Sequence, residues 1–456
     1  MLWTVYMQFT KQERGKPMAS VLMIMENFAP ENNCGAIPNT KLAKYLVREG
    51  LEVTLITKAI TPEMNLDENM VPREIDAMRV LRVEYGSLFA DTVQAYRNKI
   101  TDSGVKLKMK AERRPARAWV VSVLKESYFW LRKQDWLRSA RKLVQKELGN
   151  AHFDCIYSTF PDPAAHELAE ELMKKGMADR WIADFRDPMY YEYHDSFANA
   201  KKQKQQIAFE KKADHVTIVS EDGLDKFLCD DIPVEKFTYI PNGYDPEDFD
   251  QNQMSDGKNG DVLRIFYAGQ LYAGRRDFSP MFRALAELAA EGQIDSDHVR
   301  IEYAGNEWAV MRSFAENYGM EVQCINYGFV PRTRVMEILS EVDCTGVCTH
   351  NTAVDKGVVT GKVFELLLVG KPIIAVINGD EPNSELGRIV RSCEAGIVYE
   401  QASDETDYPA LKAWLKNAYD QKMSGKGVTC QVNTHEREQY SYVTIARKIA
   451  KLINAK

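Results

Sequence analysis

Short apolar, β-branched runs recur along the chain, with apolar residues at helical spacing between them. Residues 21–25 (VLMIM) read as a strand buried on both faces. A loop with Gly35 and two prolines follows, then a helix striped by Leu42, Tyr45 and Leu46 and ended by Gly50, then a second strand at 53–57. The same alternation predicts strands at 153–159, 181–185, 213–220 and 237–240 and a helix over 165–173. Residues 245–261 are acidic, polar and glycine-containing, and read as a linker. Beyond them the alternation restarts, with strands at 263–268, 299–303, 321–327, 342–348, 372–377 and 396–399. Helices at 279–290, 308–318, 332–340, 362–369 and 384–392 separate these strands, and a last helix spans 442–452. Strand–helix alternation of this kind makes a parallel sheet covered on both faces. The expected fold is therefore α/β, with two doubly wound Rossmann-like domains, 21–245 and 262–456, facing a central cleft. Residues 1–20 form an N-terminal extension, and the last helix is free to pack back on the first domain.

Composition narrows the function classes. The chain has 456 residues, 45% hydrophobic and 27% charged, which are globular values. Its net charge of −7 argues against nucleic acid as a partner. The opening residues lack a basic segment leading into an apolar one, so they do not read as a secretion signal, and no apolar run is long enough to span a bilayer. Eight scattered cysteines without a CxxC pair point to a reducing, cytoplasmic setting, and the seven histidines form no metal-ligand cluster. One stretch departs from the average. Residues 105–148 carry 13 basic and four acidic residues, interleaved with Trp119, Tyr128, Phe129, Trp130 and Trp136. A basic, aromatic helical insertion suits an anionic membrane surface or a lipid-linked phosphate substrate, and it equally suits a solvated helix pair with its aromatics turned inward.

Candidate chemistry concentrates at strand ends. Residues 357–377 read as loop, helix, turn and strand. Thr360, Gly361 and Lys362 offer a hydroxyl, close backbone approach and a full charge at a helix N-terminus, a combination suited to phosphate. Glu365, one turn on, can accept from a sugar diol such as a ribose, or simply face solvent. After the strand at 263–268 come Gly269 and then Arg275 and Arg276, which suit a diphosphate or are plain surface arginines. Asp184, Arg186 and Asp187 in DFRDP form a polar cluster at another strand end. They read either as acceptor-binding groups or as an Asp–Arg pair locking a loop.

Taken in order, four motifs resemble the GT-B glycosyltransferases of family 4 type, especially the bacterial enzymes that build surface polysaccharides. They are VLMIMENFAPE with Gly35 and KLAKYLVREGLEVTLIT; WIADFRDP; ADHVTIVSEDGLDKF leading to YIPNGYDPEDF; and FYAGQLYAGRR with TGKVFELLLVGKPIIAV. The resemblance implies sugar transfer from a nucleotide-sugar donor to a glycan or lipid-linked acceptor, with retention of configuration and without a cofactor or metal. It implies that Gly35, Gly269, Arg275, Arg276, Thr360, Gly361, Lys362 and Glu365 hold the donor, with Arg276 and Lys362 catalytic. Asp184, Arg186, Asp187 and His166 would line the acceptor side, although His166 also reads as a helix-surface histidine. It further implies a cytoplasmic protein, peripheral on the inner membrane face. The chain departs from the family in two places: Gly357 stands where many members carry a second glutamate, and Cys34-Gly35 replaces a double glycine. Two other readings stay open. One is a GT-B nucleotide-sugar epimerase using DFRDP carboxylates; the other is a non-catalytic sugar-nucleotide binding module.

Overall fold

The computed structural model describes residues 19–62, 64–86, 115–190, 196–229, 231–249 and 260–455. Residues 1–18 of the expected extension, 105–114 of the basic stretch and 250–259 of the expected linker lie outside the described residues.

The first half builds a seven-stranded parallel sheet from β1 (Ser20–Ile24), β2 (Glu52–Lys58), β3 (Arg79–Val83), β4 (Cys155–Phe160), β5 (Trp181–Phe185), β6 (His215–Ile218) and β7 (Phe237–Tyr239). Its order is β3-β2-β1-β4-β5-β6-β7. Helices α1 (Ala36–Arg48), α2 (Pro115–Glu147), α3 (Pro163–Lys174) and α4 (Ser196–Lys212) cover its faces. The second half repeats the plan with β8 (Leu263–Ala268), β9 (Val299–Ala304), β10 (Cys324–Gly328), β11 (Cys344–His350), β12 (Ile373–Asn378) and β13 (Gly396–Glu400), ordered β10-β9-β8-β11-β12-β13. Its helices are α5 (Ser279–Ala290), α6 (Trp308–Glu316), α7 (Arg332–Glu341), α8 (Lys362–Val369), α9 (Glu385–Ser392) and α10 (Asp404–Met423), followed by α11 (Thr434–Glu438) and α12 (Tyr442–Asn454). In each sheet the strand order reverses once, between β1 and β4 (Val21 opposite Cys155) and between β8 and β11 (Ile265 opposite Cys344). The crevice outside the carboxyl ends of strands at such a reversal is where ligands bind in doubly wound sheets.

The strands form where the sequence is continuously apolar, because both sheet faces are covered. Val21 to Ile24 and Ile373 to Val376 have no exposed surface. α8 ends at Gly370, which takes the left-handed conformation (φ 79°) that only glycine adopts without strain, and Pro372 then starts the turn into β12.

Three elements escape the hydrophobic pattern. β3, the sheet edge, carries Arg79 and Arg82 among three apolar residues, and Arg82 donates to the Ala29 carbonyl at 2.6 Å. α4 is largely polar and has no apolar stripe, burying Phe209 beside Gln206 and Glu210. α10 holds Pro409 at its sixth position, where the missing N–H removes the helical bond to the Glu405 carbonyl. The basic stretch is one helix over its described part rather than a helix pair.

α12 lies against the first domain. Ile445, Ala446, Ile449 and Ile453 join Leu42, Ala43, Tyr45 and Leu46 of α1 in one core. The chain thus crosses between domains twice, and the two crossings pair: Tyr244 N donates to the Tyr440 carbonyl and Tyr442 N to the Tyr244 carbonyl, both at 2.9 Å. Gly243 permits this approach, since a Cβ there would sit 2.4 Å from the Tyr440 oxygen. Asp245 fixes the first crossing to α1. It accepts from Lys41 (2.8 Å), Lys44 (2.7 Å) and Tyr45 (2.7 Å), and these partners hold its carboxyl far below the usual range despite burial.

Candidate functional site

The carboxyl ends of the two sheets face each other across a cleft of about 1110 Å³. Its second-domain wall begins where β8 stops. Gly269 has φ 151°, and a Cβ there would meet Lys362 Cε and Nζ and the Tyr267 hydroxyl, all at 3.2 Å. Without that Cβ, Lys362 reaches over the strand end, where Nζ donates to the Ala268 carbonyl at 2.6 Å. The following residues fold into a tight turn. Arg276 N donates to the Leu271 carbonyl, and the Arg276 guanidinium lies 4.5 Å over the Tyr272 ring. Arg276 is 8% exposed and its Nε has no hydrogen-bond partner. Burial lowers the Lys362 ammonium pKa, Glu365 opposes this, and the neighbouring positive charge of Arg276 lowers it further. Two partly buried cations therefore adjoin at the end of β8, and among the described residues neither pairs with a carboxylate.

The structure brings together Gly269, Arg276 and Lys362 but disposes of other expected residues differently. Arg275 is exposed and points to Asp355, 3.6 Å away. Gly361 caps α8 with open space around its Cα, and the Thr360 carbonyl accepts from Val363 N. Glu365 is not a free carboxylate: its Oε1 accepts from Arg332 Nε at 3.0 Å, and the same guanidinium grips Asp248 at 3.0 Å. An arginine 33 positions upstream is invisible to local spacing.

On the first-domain wall, Gly35 opens α1 at the cleft. Asn33 Oδ1 accepts from Gly35 N (2.9 Å) and Ala36 N (2.7 Å), and so caps the helix that Gly35 begins. Two of the four expected acceptor-side residues do not reach the cleft. Asp184 is 1% exposed on β5 and accepts from Thr217 at 2.7 Å. Burial raises its carboxyl pKa, with Arg186 opposing. Arg186 does line the cleft, but it is spent on the loop after β7, donating to the Ile240 carbonyl (3.2 Å) and Asn242 Oδ1 (2.5 Å). The loop-locking reading of DFRDP describes these bonds. Asp187 is exposed at the cleft.

His166 is fully buried, contrary to both of its readings. It sits among Phe160, Trp181, Phe185 and Phe209, and Nδ1 meets Ser158 Oγ at 2.7 Å. Desolvation pushes its pKa down to about 3, so it stays neutral.

The domain contact beside the cleft was not legible in the sequence. Ser220 Oγ donates to Glu385 Oε2 at 2.6 Å, Arg388 forks onto Asp222 at 2.6 and 3.2 Å, and Lys226 lies 3.7 Å from Asp355. Gly357 sits under Ser220, where a side chain would begin 2.0 Å from its hydroxyl. The glutamate that resembling sequences carry at this position would have no room here. Asp355, bonded to His350 Nε2 at 3.0 Å, is the carboxylate nearest in sequence to that gap. Among the described residues no group of three or more His, Cys, Asp or Glu side chains could hold a metal. Among them, too, no helix is long and apolar enough to cross a membrane.

No protein-family model and no curated protein matches the chain. Solved structures do. The sucrose-phosphate synthase of Thermosynechococcus elongatus superposes with a TM-score of 0.56 at 12% identity, over 95% of this chain and 98% of that one. Anabaena HepE in complex with UDP and glucose gives 0.56 at 12%, over 96% and 100%. The lipopolysaccharide outer core galactosyltransferase WaaB gives 0.54 at 12%, over 95% and 99%. At such identity the likeness speaks for architecture, and it agrees with the sheet orders above: the chain has the GT-B fold, two Rossmann-like domains across a central cleft.

Proposed function

We propose that the chain is a glycosyltransferase that takes a sugar from a nucleotide-sugar donor. The observation that carries this is the pair Arg276, which lines the cleft, and Lys362, which lies over Gly269 at the end of β8, neither with a carboxylate partner among the described residues. Holding two such charges near one another is unfavourable until an anion joins them, and a diphosphate supplies two charged groups. In transfer, the bond between the anomeric carbon and the diphosphate oxygen breaks as the acceptor hydroxyl oxygen bonds to that carbon, and the hydroxyl proton passes to the departing diphosphate. Negative charge then grows on the departing diphosphate, and Arg276 and Lys362 stand ready to stabilise it without reorganising. Gly269 and Gly35 let backbone approach the donor, with Thr360 and Gly361 beside Lys362 and Arg275 at the rim. Solved structures of the same fold include one with UDP and glucose bound, which favours a nucleotide-sugar over other phosphate ligands.

The finer reading is a retaining, family 4 type enzyme of surface polysaccharide synthesis with a glycan or lipid-linked acceptor. Its support lies on α2. Phe129, Trp130 and Leu131 are each about half exposed, and Tyr128 and Phe129 border the cleft. An apolar patch in the middle of this helix, beside the first-domain wall of the cleft, suits a lipid-linked acceptor drawn from a membrane face.

The test is thermal stability with UDP, GDP, ADP, dTDP and CMP. A ligand at about 100 times its dissociation constant adds about 2.7 kcal/mol. One nucleotide should stabilise the wild type and fail with Lys362→Ala. Arg276→Ala and Lys362→Ala should each lower transfer by about 10²–10³-fold. Stabilisation by none of the five, or full transfer in both variants, overturns the assignment.

A further inference from the structure

Behind the Arg276 turn lies a carboxylate that neither the motifs nor the cleft lining singles out. Glu307 stands at the start of α6, and its side chain accepts three backbone N–H groups in succession. They come from Leu271 (2.5 Å) and Tyr272 (3.0 Å) on Oε2, and from Ala273 (2.8 Å) on Oε1. The peptide geometry there is that of an anion-binding nest. Leu271 is right-handed (φ −100°, ψ −4°), while Tyr272 (φ 50°) and Ala273 (φ 54°) are left-handed, so consecutive amides converge on one point. Neither Tyr nor Ala adopts that conformation without an external reason. Glu307 supplies one.

The surrounding bonds make the arrangement directional. The Tyr303 hydroxyl accepts from Glu307 N (3.1 Å) and donates to the Gly269 carbonyl (3.0 Å), and the Tyr267 hydroxyl donates to the Gln270 carbonyl (2.9 Å). The turn from 269 to 276 is thus pinned from behind at its start and middle. Its front carries the Tyr272 ring and, stacked on it, the Arg276 guanidinium. The amides at 271–273 are spent on Glu307, and those of Gly274, Arg275 and Arg276 on carbonyls within the turn. None of these six N–H groups is left for a phosphate, so an anion at this wall meets side-chain cations instead.

We infer that Glu307 is a positioning residue for the diphosphate site: a built-in anion that fills the nest, fixes the left-handed pair Tyr272–Ala273 and thereby seats Arg276. The inference rests on the donor reading above. Without the carboxylate, the three amides repel one another's partial charge, the turn relaxes toward ordinary φ values and the guanidinium leaves its place. A displacement of about 1 Å in such a group costs on the order of 10²-fold.

The experiment compares wild type, Glu307→Ala and Arg276→Ala by calorimetric titration. The probe is whichever of UDP, GDP, ADP and dTDP the wild type binds most tightly, set against the corresponding nucleoside without phosphates. Glu307→Ala should weaken the diphosphate by about 10–100-fold, leave the nucleoside unchanged and recover when formate is added, because formate re-enters the empty nest. The double variant should be no weaker than Arg276→Ala alone. Unchanged diphosphate binding in Glu307→Ala overturns the inference while leaving the donor site standing. Parallel loss of nucleoside without formate recovery shows a merely structural residue and also overturns it. A wild type that binds none of the four diphosphates removes the donor reading and this inference together.

Discussion

Gly357→Ala is a one-carbon probe of how the domains meet. Gly357 has φ +73°, a conformation that costs an L-residue about 1–2 kcal/mol. The added Cβ would lie 2.0 Å from Ser220 Oγ and 2.7 Å from Gly223 N, so the first-domain loop must retreat. That loop is not free to do so cheaply. Ser220 Oγ donates to buried Glu385 at 2.6 Å and accepts from Gly223 N at 3.0 Å. Losing the bond to the carboxylate costs about 1.5–3 kcal/mol. Together the two effects come to about 2.5–5 kcal/mol if the domains stay together. If they part instead, the strain is relieved and the molecule expands. Urea unfolding and small-angle scattering, run on wild type, Gly357→Ala, Ser220→Ala and the double variant, separate the cases. Expected are a lower unfolding midpoint or a larger radius of gyration for Gly357→Ala. The double variant should lose less than the sum of the singles, because both break the same bond. Wild-type stability together with a wild-type radius in Gly357→Ala would refute the reasoning, since the Ser220–Gly357 contact would then not exist in solution.

Three further outcomes follow from other parts of the molecule. Only the ammonium form of Lys362 attracts an anion, and burial holds its pKa below the ordinary 10.5. Diphosphate affinity should therefore fall on the alkaline side before 10.5 is reached, and Lys362→Met should lose that limb in titrations at stepped pH. His166 titrates at about 3 when folded against 6.5 when unfolded, so below pH 6.5 the unfolded chain binds the extra proton. Stability should drop by about 1.4 kcal/mol per pH unit from that group as pH falls from 6.5 toward 3. His166→Phe should flatten this slope in unfolding curves; an unchanged slope assigns the acid sensitivity elsewhere. The exposed Phe129–Leu131 patch should carry the protein down with anionic liposomes at low salt, and Trp130→Asp should reduce the amount sedimented.

The alternation of apolar runs and helical stripes was enough to read both sheets apart from β3, because parallel strands covered on both faces are built mostly of apolar residues. It failed where an element meets that rule only partly, as at the arginine-bearing edge strand β3 and the polar helix α4. Local spacing also placed Gly269, Arg276 and Lys362 at strand ends, and a doubly wound sheet brings strand ends together. What spacing could not show were partners distant in sequence. Arg332 claims Glu365, Thr217 and Arg186 claim Asp184, and Glu307 fills the turn at 271–273. His166 carries a polar name on a helix whose inward face is aromatic, and only packing reveals which side of the helix it occupies.

The return of α12 to the first domain makes the second domain an insertion. Residues between the paired crossings at Tyr244 and Tyr442 leave and rejoin the first domain at one point, so the second domain hangs on a two-stranded strap. Two parallel tethers a hydrogen bond apart permit bending about the line joining them and resist twisting, which limits the relative motion of the two cleft walls largely to one degree of freedom. The same topology orders synthesis. As the chain emerges, α1 can pack on β1, β2 and Met78, but the side of it that meets α12 stays uncovered until residue 454 has been made, and the three isoleucines of α12 then bury about 5–9 kcal/mol worth of apolar surface. The first domain to be translated is thus the last to be completed, and during that interval the bare face of α1 is the part of the nascent chain a chaperone would hold.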